Sequence, residues 1–227
     1  MTGRPERDDL PEWLRPVAAA ATDMTSAELA RYAPDPPESA RSAAVLMLFG
    51  ESNGAPDLLF IERAHDMRSH PGQLAFPGGA ADPDDGGAAA TALREAVEEV
   101  GVDPAGVDVF GTLPRLWLPP SNFAVTTVLG WWREPNPVAV VDPAEVASVF
   151  RVPIAELLAP EHRFMVRHPS GWKGPAFAID TSAADRELIL WGFTAGVVSR
   201  LFSYVGWERP WDESRMRPLP VVGGFPR

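Results

Sequence analysis

The sequence predicts an α/β protein, a mixed sheet packed between helices as an α/β/α sandwich. Three observations predict it. A near-continuous apolar run at 43–49 reads as a buried strand, and the Asn53–Gly54 turn signal sends the chain back as a second strand at 57–62. A helical pattern after the next strand signals ends at Gly101, a residue suited to a left-handed cap. A second long helical pattern, 191–204, lies near the C-terminal end. Strands interleaved with two long helices suit a sheet covered on both faces.

Composition bounds the function. The chain has 227 residues, 45% of them hydrophobic, enough for one sizeable core with appendages. Its net charge is −11 and its pI about 4.8, which argues against broad nucleic-acid binding. A local arginine cluster or a metal ion can still reverse the field for an anionic small substrate. No cysteine is present, so there is no disulfide framework and no thiolate metal site. The first 13 residues are too charged for a secretory signal, and the apolar stretch 191–207 contains Arg200. A cytoplasmic protein without a membrane span is expected. The 25 prolines predict many loops and edge strands.

In order, 10–21 and 25–32 read as short helices, with Thr25 or Ser26 as cap and Glu28 in the first turn. The proline-rich stretch 34–39 reads as a linker, so 1–40 is expected to be a helical extension, 41–207 the main domain and 208–227 a tail partly ordered at best. Residues 64–72 form an irregular loop, and 73–76 a short strand feeding Pro77–Gly78–Gly79. A strand is expected at 107–113, then a loop at 114–123 with two exposed-looking large apolar side chains. Asn122 in it tolerates a left-handed backbone. Further strands are expected at 124–132 and 138–141, a helical turn at 143–147, a strand at 148–152 and a helix at 153–158 with Pro153 in its first position. Residues 162–168 and 175–180 flank Ser170–Gly171 as a hairpin. No internal repeat is visible.

The chemistry concentrates in 63–102. On the helix ending at Gly101, Leu93, Val97 and Val100 share one face at about 100° per residue. Glu95, Glu98 and Glu99 gather on the opposite face at spacings i, i+3 and i+4. Three like charges repel unless a cation sits among them, and carboxylates suit a hard divalent ion such as Mg²⁺ or Mn²⁺. The bland alternative is a solvated helix face. Gly78–Gly79 lets backbone approach a ligand closely, the loop 82–87 is acidic, and Arg94 is placed to hold a loop carboxylate or a phosphate in a fork.

This stretch resembles a Nudix box, G-x5-E-x7-R-E-U-x-E-E-x-G-U with U apolar. Gly79 matches the opening glycine. Arg94, Glu95, Ala96, Glu98, Glu99, Gly101 and Val102 match the closing half. The spacing from Gly79 to Arg94 is one residue longer, and a loop aspartate, Asp85 or another, stands for the loop glutamate. Both departures resemble the variant box of the coenzyme A pyrophosphatase branch, GG-x-x-D-x-x-D followed by TALRE. That branch has an upstream pattern, L-L-T-x-R-[SA]-x3-R-x3-G-x3-F-P-G-G. Arg63, Ala64, Arg68, Gly72, Phe76, Pro77, Gly78 and Gly79 fit it, while Ile61 replaces the threonine. The two patterns together cover about 45 residues.

The resemblance implies the Nudix α/β/α fold and a Mg²⁺- or Mn²⁺-dependent hydrolase of the diphosphate bond of coenzyme A or acyl-coenzyme A. The products would be 4′-phosphopantetheine, or its acyl form, and adenosine 3′,5′-bisphosphate. It implies metal ligation by Glu95, Glu98, Glu99 and the Gly79 carbonyl, and catalytic roles for Glu95, Arg94 and Glu98, with Glu95 first choice as base. It implies substrate binding by Arg63, Arg68, Gly72, Phe76 and Gly78, with Arg63 or Arg68 on the 3′-phosphate, and a homodimer. Glu145 is a carboxylate outside the box, read first as a charge beside Pro143. The four histidines show no metal-ligand spacing. Trp117, Trp131, Trp132 and Trp191 are read as core or interface residues before adenine-stacking ones. Two other readings stay open. One is a Nudix hydrolase of another nucleoside diphosphate derivative such as ADP-ribose. The other is a catalytically silent binding module, against which the complete REAVEEVG run argues.

Overall fold

The computed structural model describes residues 9–30, 33–67, 70–168, 171–180 and 186–219. Strands β1 (Arg41–Ser52) and β2 (Ala55–Arg63) form a hairpin. Its turn residues Asn53 and Gly54 both take positive φ (53° and 75°), the conformation an Asn–Gly turn supplies. Strand β3 (Leu74–Ala75) pairs with β2, and β4 (Gly78–Ala80) with β1. Helix α3 (Ala88–Val100) follows; α1 (Arg15–Asp23) and α2 (Ser26–Leu29) lie upstream of the sheet in the chain. Strand β5 (Val107–Thr112) pairs antiparallel with β7 (Phe123–Trp132), and β7 runs parallel to β1. With β6 (Leu116–Leu118) and β8 (Val146–Pro153), the sheet has eight strands and is mixed.

Side-chain alternation puts a core on each face. Leu46, Leu48, Leu59 and Ile61 point to one side, where Ala92, Ala96 and Val100 of α3 cover them. Met47, Phe49, Leu58 and Phe60 point to the other. There α1 (Arg15–Asp23) and α5 (Gly192–Tyr204) cover them through Val17, Val198 and Phe202. The result is the sandwich expected. A second sheet, in order β11-β10-β9-β12, comprises β9 (Arg163–Arg167), β10 (Lys173–Ile179), β11 (Leu188–Leu190) and β12 (Met216–Pro218).

Several elements depart from the sequence reading. The first N-terminal helix begins as a 3-10 turn, Glu12–Leu14, before α1. The second, α2 (Ser26–Leu29), starts from a Thr25–Glu28 capping box and is four residues long; Tyr32 lies outside the described residues. The loop expected at 114–123 contains β6, whose Leu116 is buried, because its backbone pairs with the start of β7. Asn122 there has φ 53°. No strand forms at 138–141. Its amides are used elsewhere: Ala139 N–H donates to Val100 O and Val141 N–H to Glu99 O. These are carbonyls that a helix end leaves without internal partners. At 143–147 the chain turns and β8 already begins at Val146. Pro153 precedes the helix α4 (Ile154–Leu157) as its extended N-cap instead of occupying its first turn. Strands β11 and β12 were not expected, and β12 lies in the 208–227 segment.

Candidate active site

The site is built where β4 and α3 face each other. Gly78 sits at φ 152°, and a Cβ there would lie 2.3 Å from the Ala44 carbonyl oxygen. A Cβ on Gly79 would lie 2.5 Å from Glu95 Oε1. Gly78 therefore needs glycine, and a side chain at Gly79 would push the Glu95 carboxylate away from the backbone it lies against. Gly78 N–H donates to Glu99 Oε2 at 2.9 Å. Glu99 is 2% exposed, and its Oε1 has no hydrogen-bond partner among the described residues. Burial pushes its carboxyl up to about 8. The Gly78 amide and the Arg63 charge pull it down; the Glu95 and Glu145 charges push it further up. Glu95 is also raised, first by burial, against the opposing pull of Arg94.

The helix is rotated from the orientation its sequence suggests. Ala92, Ala96, Glu99 and Val100 are its buried residues in this part, while Val97 is 39% exposed. Small alanines let the helix approach the sheet closely and draw Glu99 in. Glu98 stays at the surface, where its carboxylate accepts from Arg94 Nη1 at 3.0 Å. Among the described residues, no three carboxylate or imidazole groups converge as a ready metal cage. The expected trio Glu95, Glu98 and Glu99 is thus one buried, one half-buried and one exposed group.

Arg94 is the hub of the acidic loop. Its Nε and Nη2 fork onto Asp85 at 3.1 Å each, Nη2 also reaches the Ala80 carbonyl, and Nη1 lies 3.0 Å from Glu95. The fork, with hydrogen bonds from the Asp82 amide and the Thr91 hydroxyl, holds the Asp85 carboxyl well below its usual range. Arg94 thus holds the loop and orients Glu95 at once.

The upstream residues divide. Arg63 is half-buried with its Nε unpartnered, and its charge acts on Glu99. Gly72, at φ 62°, closes the 63–72 loop by donating to the Arg63 carbonyl at 3.0 Å. Phe76, expected to bind substrate, is 2% exposed and stacks on Phe60 with centroids 5.2 Å apart. It is a core residue that fixes the entry to Pro77–Gly79. Arg68 lies outside the described residues. Ile61, in place of the branch's threonine, is fully buried beneath α3, so no ligand contact is lost with the hydroxyl. Trp131 and Trp132 pack in the two cores.

Two residues gain weight from the structure. The Glu145 carbonyl accepts from Ala64 N–H at 2.8 Å, and its charge acts on both Glu95 and Glu99. Glu62, in an unspecified position of the upstream pattern, is buried and pairs with His65 and Arg186. No spacing marks Glu62 or Arg186 in the sequence; the fold brings them together across 124 positions.

The NUDIX domain family matches residues 38–170, more than half of the chain. The chain belongs to the Nudix family. Nudix hydrolases act on diphosphate bonds, and that class fits the site just described. Among relatives, the chain is 34% identical over 181 residues to "Nudix hydrolase 15, mitochondrial" of Arabidopsis thaliana, covering 78% of this chain and 62% of that one. It therefore spans less than two thirds of that Nudix protein. It is 40% identical over 157 residues to the uncharacterized Nudix hydrolase NudL of Cronobacter sakazakii, covering 68% and 78%. With NudL of Escherichia coli K12 the identity is 36% over 153 residues, covering 66% and 76%. Among the described residues of this Nudix chain, no helix is long and apolar enough to cross a membrane.

Nudix hydrolases generally use divalent cations such as Mg²⁺ or Mn²⁺. The residues present fit such an ion. The unpartnered, buried Glu99 oxygen is a ligand atom in want of a cation, and Glu95 lies against the Gly79 backbone.

Proposed function

We propose that this hydrolase cleaves the diphosphate of coenzyme A or acyl-coenzyme A, releasing 4′-phosphopantetheine or its acyl form and adenosine 3′,5′-bisphosphate. The observation that carries the diphosphate chemistry is the buried Glu99 carboxylate, unpartnered on one oxygen, facing Glu95, Arg63 and Glu145. The coenzyme A assignment is supported by Arg63, Arg68, Gly72 and Phe76–Gly79 at the spacings of the upstream pattern.

Glu99, Glu95 and the Gly79 carbonyl would hold the divalent ion, with Glu98 joining when it leaves Arg94. The ion would neutralise diphosphate oxygens and acidify an attacking water. Glu95 takes the water's proton: it must be ionised to do so, and Arg94 at 3.0 Å favours that form against burial. Arg63, whose charge acts on Glu99 and whose Nε has no partner among the described residues, would pair with a diphosphate oxygen. Gly72 and Gly78 shape the backbone around it. The same reading makes the enzyme cytoplasmic and homodimeric, the dimer being what the resemblance implies.

A panel of coenzyme A, an acyl-coenzyme A, ADP-ribose and a nucleoside triphosphate, each with Mg²⁺ or Mn²⁺, tests the substrate. Coenzyme A or its thioester is expected to show the highest kcat/KM, with adenosine 3′,5′-bisphosphate as product. Faster cleavage of ADP-ribose would overturn the coenzyme A reading and leave the Nudix chemistry in place.

A further inference from the structure

The guanidinium of Arg94 is engaged along every edge. Nε and Nη2 reach the two oxygens of Asp85, Nη2 also donates to the Ala80 carbonyl, and Nη1 lies 3.0 Å from both Glu95 and Glu98. A guanidinium carries five N–H donors in one plane, so none is left over for a phosphate. Asp85 sets that plane by gripping one edge, and the Nη1 edge is thereby presented to Glu95.

Asp85 is itself held by two further donors. The Asp82 amide and the Thr91 hydroxyl donate to its Oδ2 at 2.9 and 2.8 Å. Thr91 is fully buried and follows the three alanines that open α3. Alanine suits a helix better than threonine, so the hydroxyl is the feature to explain. In a helix such a hydroxyl commonly bonds back to the carbonyl four residues earlier. Here that carbonyl, on Gly87, already accepts the Thr91 amide at 3.0 Å and lies 3.3 Å from the hydroxyl. The single hydroxyl proton therefore goes to the nearer, charged oxygen of Asp85. Against the box pattern this loop is one residue longer and its carboxylate one methylene shorter. A fixed donor from the helix holds the shorter side chain in place at the guanidinium.

We propose that Thr91 and Asp85 are positioning residues for the cleavage step: the hydroxyl fixes the carboxylate, the carboxylate fixes Arg94, and Arg94 aims Glu95. The inference rests on the reading of Glu95 as the group that takes the water's proton. Neither Thr91 nor Asp85 touches substrate or ion in this relay. Loosening it leaves binding in place and slows turnover, because a misaimed group costs rate and not affinity.

The test combines kcat and KM, for whichever diphosphate is cleaved fastest, with Mn²⁺ affinity by calorimetry. Thr91→Val keeps the side chain's shape and removes the hydroxyl. It should lower kcat about 10- to 100-fold, the rate equivalent of a hydrogen bond to a charged group, with KM and Mn²⁺ affinity within about 2-fold of wild type. Thr91→Ser should recover most of that loss, and Asp85→Asn should lose at least as much as Thr91→Val. In a Glu95→Gln background Thr91→Val should have no further effect on kcat, since its route to the reaction is already cut. A hydroxyl that only supports the fold would cost the same factor in both backgrounds, and that result overturns the inference. So does a Thr91→Val loss that Thr91→Ser does not recover, or a fall in Mn²⁺ affinity as large as the fall in kcat. Should Thr91→Val fail to fold, Asp85→Asn with and without Glu95→Gln gives the same readout. Glu95→Gln with wild-type kcat overturns the reading of Glu95 and the inference with it. A slow Glu95→Gln beside a fully active Thr91→Val overturns the inference alone.

Discussion

Glu99 has one oxygen on the Gly78 amide and the other without a partner, in surroundings that favour its neutral form. Its folded-state affinity for a proton, pushed up to about 8 from an ordinary 4.5, has a signed consequence. Between those values the folded chain binds the proton and the unfolded chain does not. The cation-free protein should therefore gain stability as pH falls from about 8 toward 4.5, on the order of 5 kcal/mol from this group. A divalent ion bound at Glu99 should flatten the dependence by stabilising the charged form. Glu99→Gln should flatten it too, raise the cation-free melting temperature at pH 8, and cut kcat by at least about 100-fold. Melting curves against pH with and without Mg²⁺ check this; a Glu99→Gln variant less stable than wild type at pH 8 would sink it. The sequence grouped Glu95, Glu98 and Glu99 by spacing. It could not say which one was buried, because that depends on the helix's rotation against a sheet it does not touch in sequence.

At the scale of one helix, the extent of α3 and its cap were legible: Gly101 ends it at φ 71°, where a left-handed residue was expected. The buried face was not. Leu93, Val97 and Val100 form the most apolar stripe, yet the sheet takes Ala92, Ala96 and Val100, because a close approach favours small side chains over large ones. Ala96→Leu should then overpack the contact with the sheet and cost about 1–3 kcal/mol. Val97→Lys should stay within about 0.5 kcal/mol of wild type, as an exposed substitution does. Urea midpoints of the two variants decide between faces: the stripe read from sequence requires the reverse order. The same limit applies to 138–141. A strand was expected there, but its amides cap α3, and a hydrogen-bond partner across about 40 residues leaves no local signature.

For the whole molecule, the first sheet was readable through its long strands β1, β2, β5 and β7, while short β6 was missed, and half of the second sheet was missed too. Strands β11 and β12 have three residues each, too few for any period to show, and β12 ends in Pro218. Their place depends on long-range contacts around Arg163. This guanidinium is 1% exposed, donates to Glu208 at 2.6 Å and Ser199 at 2.8 Å, and lies over the Trp211 ring at 4.5 Å. The segment after Trp207 thus neutralises a charge buried between α5 and the second sheet. Glu208→Ala should leave that charge without its anion and cost about 3 kcal/mol, the lower end for breaking a buried pair. The urea midpoint should fall by roughly 1 M or more for an ordinary unfolding slope. Replacing the buried cation as well, Arg163→Met with Glu208→Ala, should recover most of the loss, since an apolar side chain of similar size asks for no partner. If Glu208→Ala leaves the midpoint unchanged, or the double variant is no better than the single one, the segment is packed on the domain for some reason other than this ion pair.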